Sequence, residues 1–168
     1  MQNDPVPRAA AALAIRRSVW NNPSVLVAAV MSPRVVSVEP GATVQEAIAL
    51  MMEQHIGSVA VCEGTRLVGI FTERDVLRLA SERRDFDAVR VGDVMTARPV
   101  VAAPELRIVD AARIMGEHRI RHLPVVEGDN LLGMVGIRDV MRTLVERVWS
   151  EHDPAAHETA GQLLQRAD

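Results

Sequence analysis

The segment Gly69–Asp75 carries the side chains best suited to bind a ligand. It ends an apolar run and opens a predicted helix, whose free N–H groups and partial positive charge suit an anion such as phosphate. The Thr72 hydroxyl can bind a ribose or phosphate oxygen. The Asp75 carboxylate can accept two hydrogen bonds from a ribose diol, as acidic residues do in dinucleotide-binding folds. The segment therefore predicts a site for a ribose and a phosphate.

The same residues have a second interpretation, because Thr72-x-x-Asp75 is also an N-terminal capping pattern. A related segment, Gly133–Asp139, lies 64 residues further on and has Gly136 in the place of Thr72. A reciprocal capping box cannot form without the hydroxyl, so the retention of Asp139 favours a ligand role. Capping stays open as the alternative for Thr72 and Asp75.

These two segments belong to a long internal repeat. Residues Val30–Leu79 align with Val94–Thr143 without a gap, and 18 of the 50 paired positions are identical. Solenoid arrays have shorter periods and need about three or more units. Two copies of this length instead predict two small subdomains that are related by a pseudo-twofold axis and face each other across a groove.

Each copy has the same predicted order of elements, β-α-β-β-α, which places the chain in the α+β class. In the first copy Thr43 and Glu46 predict a capping box at the first helix. Gly57 is expected to end that helix in a left-handed conformation. Glu63–Thr65 predicts a hairpin turn, and the second helix begins near Thr72.

The repeat also predicts the domain boundaries and the flanking helices. Helical potential lies at 8–19 and again around 155–166. The expected units are an N-terminal helical extension at 1–23, a first domain at 24–80, a linker at 81–90, a second domain at 91–149 and a polar tail at 150–168.

Composition argues against several classes of protein. The net charge of −3, an aromatic content of 2% and the absence of Tyr argue against a nucleic-acid-binding surface. The single Cys62 cannot form an internal disulfide, which fits a reducing compartment. No apolar run reaches the about 20 residues of a membrane span. We therefore expect a soluble, cytoplasmic protein.

Metal binding and catalysis have little support in the sequence. His118 and His122 are four residues apart, but His122 begins an apolar run and no third ligand is evident. No Ser/His/Asp or Cys/His set has a motif context. We expect neither a metal site nor an enzyme.

The chain resembles the cystathionine-beta-synthase (CBS) domain pair, or Bateman module, over about 24–149. The resemblance is carried by the repeat, by the leading segments Val30–Ser32 and Val94–Thr96, by Ile120–Val126, and by the Gly-hydrophobic-x-Thr-x-x-Asp pattern at 69–75. It implies adenosyl ligands bound between the copies, namely AMP, ADP, ATP, NAD(H) or S-adenosylmethionine. It also implies homodimers in which two pairs form a disk.

The resemblance implies two binding sites, each built from both copies. In the first site Thr72, Asp75 and the nearby Arg74 would bind ribose and phosphate. The opposite wall would pack on adenine and reach phosphate through Val100, Ile120, Pro124, Arg121 and His122. The second site would set Asp139 against Val36, Ile56 and Ser58. Because of Gly136 and Gly57, we expect the second site to be weaker, empty or altered in specificity.

The function expected from these features is a non-catalytic sensor of adenosyl ligands that signals by a conformational change to a regulated protein, which the sequence does not name. The alternative is a ligand-free dimerisation or interaction module.

Overall fold

The computed structural model describes residues 25–152, with side chains as far as Arg147. The predicted helix at 8–19 and the tail from 153 onward lie outside these residues. A short 3-10 turn at Val27–Ala29 precedes the first copy. The first copy comprises β1 (Ser37–Val38), α1 (Val44–Glu53), β2 (Ser58–Glu63), β3 (Arg66–Thr72) and α2 (Glu73–Ser81). The remaining elements are α3 (Val91–Val94), β4 (Thr96–Ala97), α4 (Ile108–His118), β5 (His122–Glu127), β6 (Asn130–Gly136) and α5 (Ile137–His152).

The two hairpins meet to form one sheet, in the order β1-β2-β3-β6-β5, with β4 paired to β3. They join where Arg66 pairs with Asn130, two positions that correspond to each other in the repeat. The Thr65 hydroxyl donates to the side-chain oxygen of Asn130 at 2.9 Å. The pseudo-twofold axis therefore passes through this junction.

Local sequence signals explain most of the first helix. The predicted capping box is confirmed, since the Thr43 N–H donates to the Glu46 carboxylate at 2.7 Å and the Glu46 N–H donates to the Thr43 hydroxyl at 3.1 Å. The predicted left-handed C-cap at Gly57 is wrong. The helix ends earlier, at Glu53, so the left-handed residue is His55 with φ 53°. Its counterpart Arg119 has the same φ.

The second copy departs from prediction at its leading strand and at its last helix. The sequence of the second copy predicts an extended segment at Val100–Ala102, which in the structure is only a parallel bridge between Ala102 and Val125. This bridge has the same register as the pairing of Val38 with Val61 in β1 and β2. The sequence predicts a last helix at Val140–Trp149, and the helix in the structure is longer, reaching from Ile137 to His152.

Each copy is completed by the segment that precedes the other copy. Val91 is fully buried in the core formed by α1, α2, β2 and β3, whereas Val27 is fully buried in the core formed by α4, α5, β5 and β6. The backbone pairs in the same way, because Thr96 bridges to Ile70 and Ser32 bridges to Met134. The unit that packs together therefore differs from the unit that repeats in sequence.

Candidate functional site

Two cavities of unequal size lie where the copies face each other. The larger has a volume of about 440 Å³ and reaches the start of α5, and the smaller has about 170 Å³ and reaches the start of α2. Small-molecule sites in proteins usually occupy about 300–1,000 Å³. The larger cavity falls in this range as it stands, whereas the smaller one does not.

The smaller cavity gathers most of the first predicted site. Its lining includes Thr72, Arg74, Asp75, Val100, Ile120, Arg121 and His122. Pro124 is not among the lining residues. It is buried within β5, where its carbonyl accepts from the Ala102 N–H at 2.8 Å. The proposed contact of Pro124 with adenine therefore has no support in this geometry.

The Asp75 carboxylate is engaged at the start of its own helix. Its Oδ2 accepts from the Thr72 N–H at 3.0 Å and from the Thr72 hydroxyl at 2.8 Å. Its Oδ1 lies 3.6 Å from the Arg78 guanidinium, and the side chain is only 15% exposed. The capping alternative is thus present in the structure. A ribose diol at Asp75 would have to share Oδ2 with this cap or displace Arg78 from Oδ1.

The larger cavity gathers the whole of the second predicted site, namely Asp139, Val36, Ile56 and Ser58. The second site was expected to be the weaker one, yet it lies in the larger of the two cavities. The small Gly136 lines the larger cavity, whereas its counterpart Thr72 lines the smaller one. Asp139 Oδ1 accepts from Arg142 at 2.8 Å. Its Oδ2 lies 3.2 Å from the position that a Cβ on Gly136 would take.

Several residues that line the cavities were not predicted as site residues from the sequence. Ser32, Arg34 and Arg138 line the larger cavity. The repeat could have identified the two arginines, because arginine is retained at the equivalent positions of the other copy, Arg98 and Arg74. Arg119 lines the smaller cavity, and its backbone carbonyl lies 3.5 Å from Arg74. Arginine guanidinium groups therefore line both cavities, and they are the groups that bind phosphate best.

One wall is common to both cavities and consists of Gly57, Glu73, Arg121 and His122. It is built symmetrically, since the Glu73 N–H donates to the Gly57 carbonyl at 3.1 Å and the Ile137 N–H donates to the Arg121 carbonyl at 2.8 Å. Burial lowers the pKa of His122, and Arg121 and Arg138 add to this effect, against the opposing charges of Glu73 and Asp139. His122 is therefore neutral at pH 7 and can either donate or accept a hydrogen bond.

The family model for the CBS domain matches the chain twice, at 27–82 and at 91–146. The chain belongs to the CBS domain family. The predicted resemblance and the predicted tandem pair of α+β copies are thereby confirmed. The chain is similar to the CBS domain-containing protein YhcV of Bacillus subtilis, with 37% identity over 111 residues, which are 66% of this chain and 79% of YhcV.

Solved structures of CBS proteins have the same fold. CBSX2 in complex with AMP matches with a TM-score of 0.65 and 30% identity, over 72% of this chain and 96% of CBSX2. The CBS-domain containing protein ATU1752 of Agrobacterium tumefaciens matches with a TM-score of 0.66 and 29% identity, over 71% of this chain and 98% of ATU1752.

Within residues 25–152, every helix is too short or too polar to span a membrane. Among the side chains that the structure describes, at 25–147, no three from His, Cys, Asp or Glu come close enough together to hold a metal ion. The cytoplasmic location stays a prediction from the sequence.

Proposed function

We propose that this CBS pair is a regulatory module that binds an adenosyl ligand in the groove between its copies. The observation that carries the proposal is the composition of the 440 Å³ cavity. Asp139 lies there at the start of a helix, together with the apolar Val36 and Ile56 and three arginines, Arg34, Arg121 and Arg138. These are the groups that a ribose diol, a purine ring and a phosphate each require.

The larger cavity is the primary site in this proposal. Adenine packs between Val36 and Ile56, the ribose lies at Asp139, and the phosphate is held by Arg138 and Arg121. The AMP complex of CBSX2, at 30% identity, supports this ligand class. AMP, ADP, ATP and NAD(H) all share the adenosyl group. The smaller cavity at Thr72 and Asp75 is a secondary site that has to enlarge before it admits a nucleotide.

The proposed role is signalling without catalysis. The groove contributes aliphatic, carboxylate and guanidinium groups, which bind and orient a nucleotide. A ligand that contacts both copies favours one relative arrangement of the two, to the extent of its differential affinity for the two arrangements. A regulated protein would respond to that arrangement.

The module is also proposed to form a homodimer. Leu77 on α2 and Met141 on α5 occupy equivalent positions in the two copies, and the two residues are 72% and 51% exposed. Large apolar side chains at symmetry-related surface positions suit a contact with a second copy of the chain.

Thermal stabilisation by AMP, ATP or NADH tests the ligand proposal. A ligand present at 100 times its Kd stabilises the native state by about 2.7 kcal/mol. We expect Asp139→Asn to lose most of the increase in Tm, Asp75→Asn to lose less, and the double variant to lose all of it. Asparagine is chosen because it retains an acceptor for the helix cap.

Two outcomes would contradict this assignment. An undiminished Tm increase in the double variant places the ligand elsewhere. The absence of any increase in the wild type at millimolar nucleotide favours the ligand-free dimerisation module.

A further inference from the structure

The carboxylate of Glu73 lies on the wall that the two cavities share. Its Cδ and Oε2 are 3.0 Å from the position that a Cβ on Gly57 would occupy, so the carboxylate fills the space left by that glycine. Glu73 lines both cavities. Its counterpart in the second copy is Ile137. The first copy therefore adds one negative charge to the wall, and the second copy has no equivalent charge.

This charge lies among the groups that would receive phosphate. Arg121 and His122 share the wall with Glu73. The pKa of His122 is lowered by burial, and the negative charge of Glu73 partly opposes this lowering. A phosphate group that approaches Arg121 from either cavity therefore also approaches Glu73. Each further phosphate in the chain adds negative charge next to the same carboxylate.

We infer that Glu73 is a specificity-determining residue of the groove, which disfavours adenosine di- and triphosphates relative to AMP. The inference rests on the proposed function, because it concerns the ligand of the same groove. Repulsion from a fixed charge grows with the charge of the ligand. The neutral adenosine experiences none of it, AMP experiences an intermediate repulsion and ATP experiences most, because its further phosphates add charge next to the same carboxylate.

Glu73 also has a structural effect that the test must separate from specificity. It is the first residue of α2, where a carboxylate interacts favourably with the helix dipole. Loss of this effect lowers Tm by the same amount whichever ligand is later added. A change in the ratio of ATP affinity to AMP affinity reports the specificity role alone.

Calorimetric titration of the full chain with adenosine, AMP, ADP and ATP, in the absence of magnesium, tests the inference. Glu73→Gln removes the charge while keeping the shape of the side chain. We expect adenosine affinity to change less than twofold, and the ratio of ATP affinity to AMP affinity to rise roughly two- to fivefold, the range of single exposed charge interactions. Raising the salt concentration should shrink the difference between variant and wild type.

Two further variants sharpen the result. Glu73→Ile introduces the residue of the second copy and should raise the same ratio. Glu105→Gln removes an exposed carboxylate that lines neither cavity and should leave the ratio unchanged. Equal changes for all four ligands, or an unchanged ratio in both Glu73 variants, would overturn the inference. Failure of the wild type to bind any of the four, or NADH, would instead overturn the proposed function.

Discussion

Met31 packs directly against the backbone of Gly133. A Cβ added to Gly133 would lie 2.6 Å from the Met31 sulfur and 2.9 Å from the Ser32 carbonyl oxygen. The counterpart Met95 packs on Gly69 in the same way. Both the methionine and the glycine are identical in the two copies, and each methionine contacts the glycine of the other copy. The retained residues are therefore partners across the pseudo-twofold axis.

We predict that Gly133→Ala and Gly69→Ala each destabilise the protein by about 1–3 kcal/mol, the usual cost of overpacking. Each new methyl group would overlap a methionine side chain that belongs to the adjoining segment. Urea unfolding provides the measurement. Gly116→Ala is the matched control, since nothing lies within 4 Å of its Cβ position and an alanine within α4 should stabilise by about 0.5–1 kcal/mol. Equal effects at all three glycines would contradict the packing described.

Each core is completed by the segment that precedes the other copy. This arrangement predicts which fragment of the chain folds. The fragment 33–97 retains every residue of the first core, including Val91 and its neighbours Val94 and Met95. The fragment 25–89 has the same length but replaces these with Val27, which belongs to the second core. We expect 33–97 to be the more protected of the two in hydrogen exchange. Greater protection of 25–89 would show that the repeat in sequence is also the folding unit.

The lowered pKa of His122 predicts a dependence of stability on pH. An unfolded histidine titrates near 6.5, and the folded one titrates below this value. The unfolded state therefore binds a proton first as the pH falls below about 6.5, and stability is lost until the pH has passed the folded pKa. We expect the unfolding free energy to fall more between pH 7.5 and 5.5 in the wild type than in His122→Asn. Parallel curves for the two proteins would show that His122 titrates normally.

The proposed homodimer predicts the effect of charges at Leu77 and Met141. The double variant Leu77→Asp, Met141→Asp should be monomeric, because burying two unpaired carboxylates at an interface costs more than a small apolar contact supplies. Analytical ultracentrifugation measures the mass. Val101→Asp alters another partly exposed apolar residue, outside the two helices, and should not change the mass. A double variant with the mass of the wild type would place the interface elsewhere.

Most of the residues that line the groove could be predicted from the sequence. All the predicted site residues except Pro124 line one of the two cavities. The repeat brings them together because equivalent positions in two copies of one fold lie on equivalent surfaces. The relative size of the cavities was not predicted, and it is the reverse of what the expectation of a weaker second site implied. The repeat could not identify Glu73 as a lining residue, because the equivalent residue of the second copy is the apolar Ile137.

Features that depend on neighbouring residues are predictable from the sequence alone. The capping box at Thr43, the helix that follows it and both hairpins are encoded within a few positions, and the tandem family is encoded in the repeat. Tertiary packing alone sets which leading segment completes which core, with Val27 in the second and Val91 in the first, and which of the two cavities is the larger. These outcomes depend on contacts between segments far apart in the chain, where two equivalent partners compete. No local sequence pattern distinguishes the two equivalent partners, so the packing of distant segments determines which one is used.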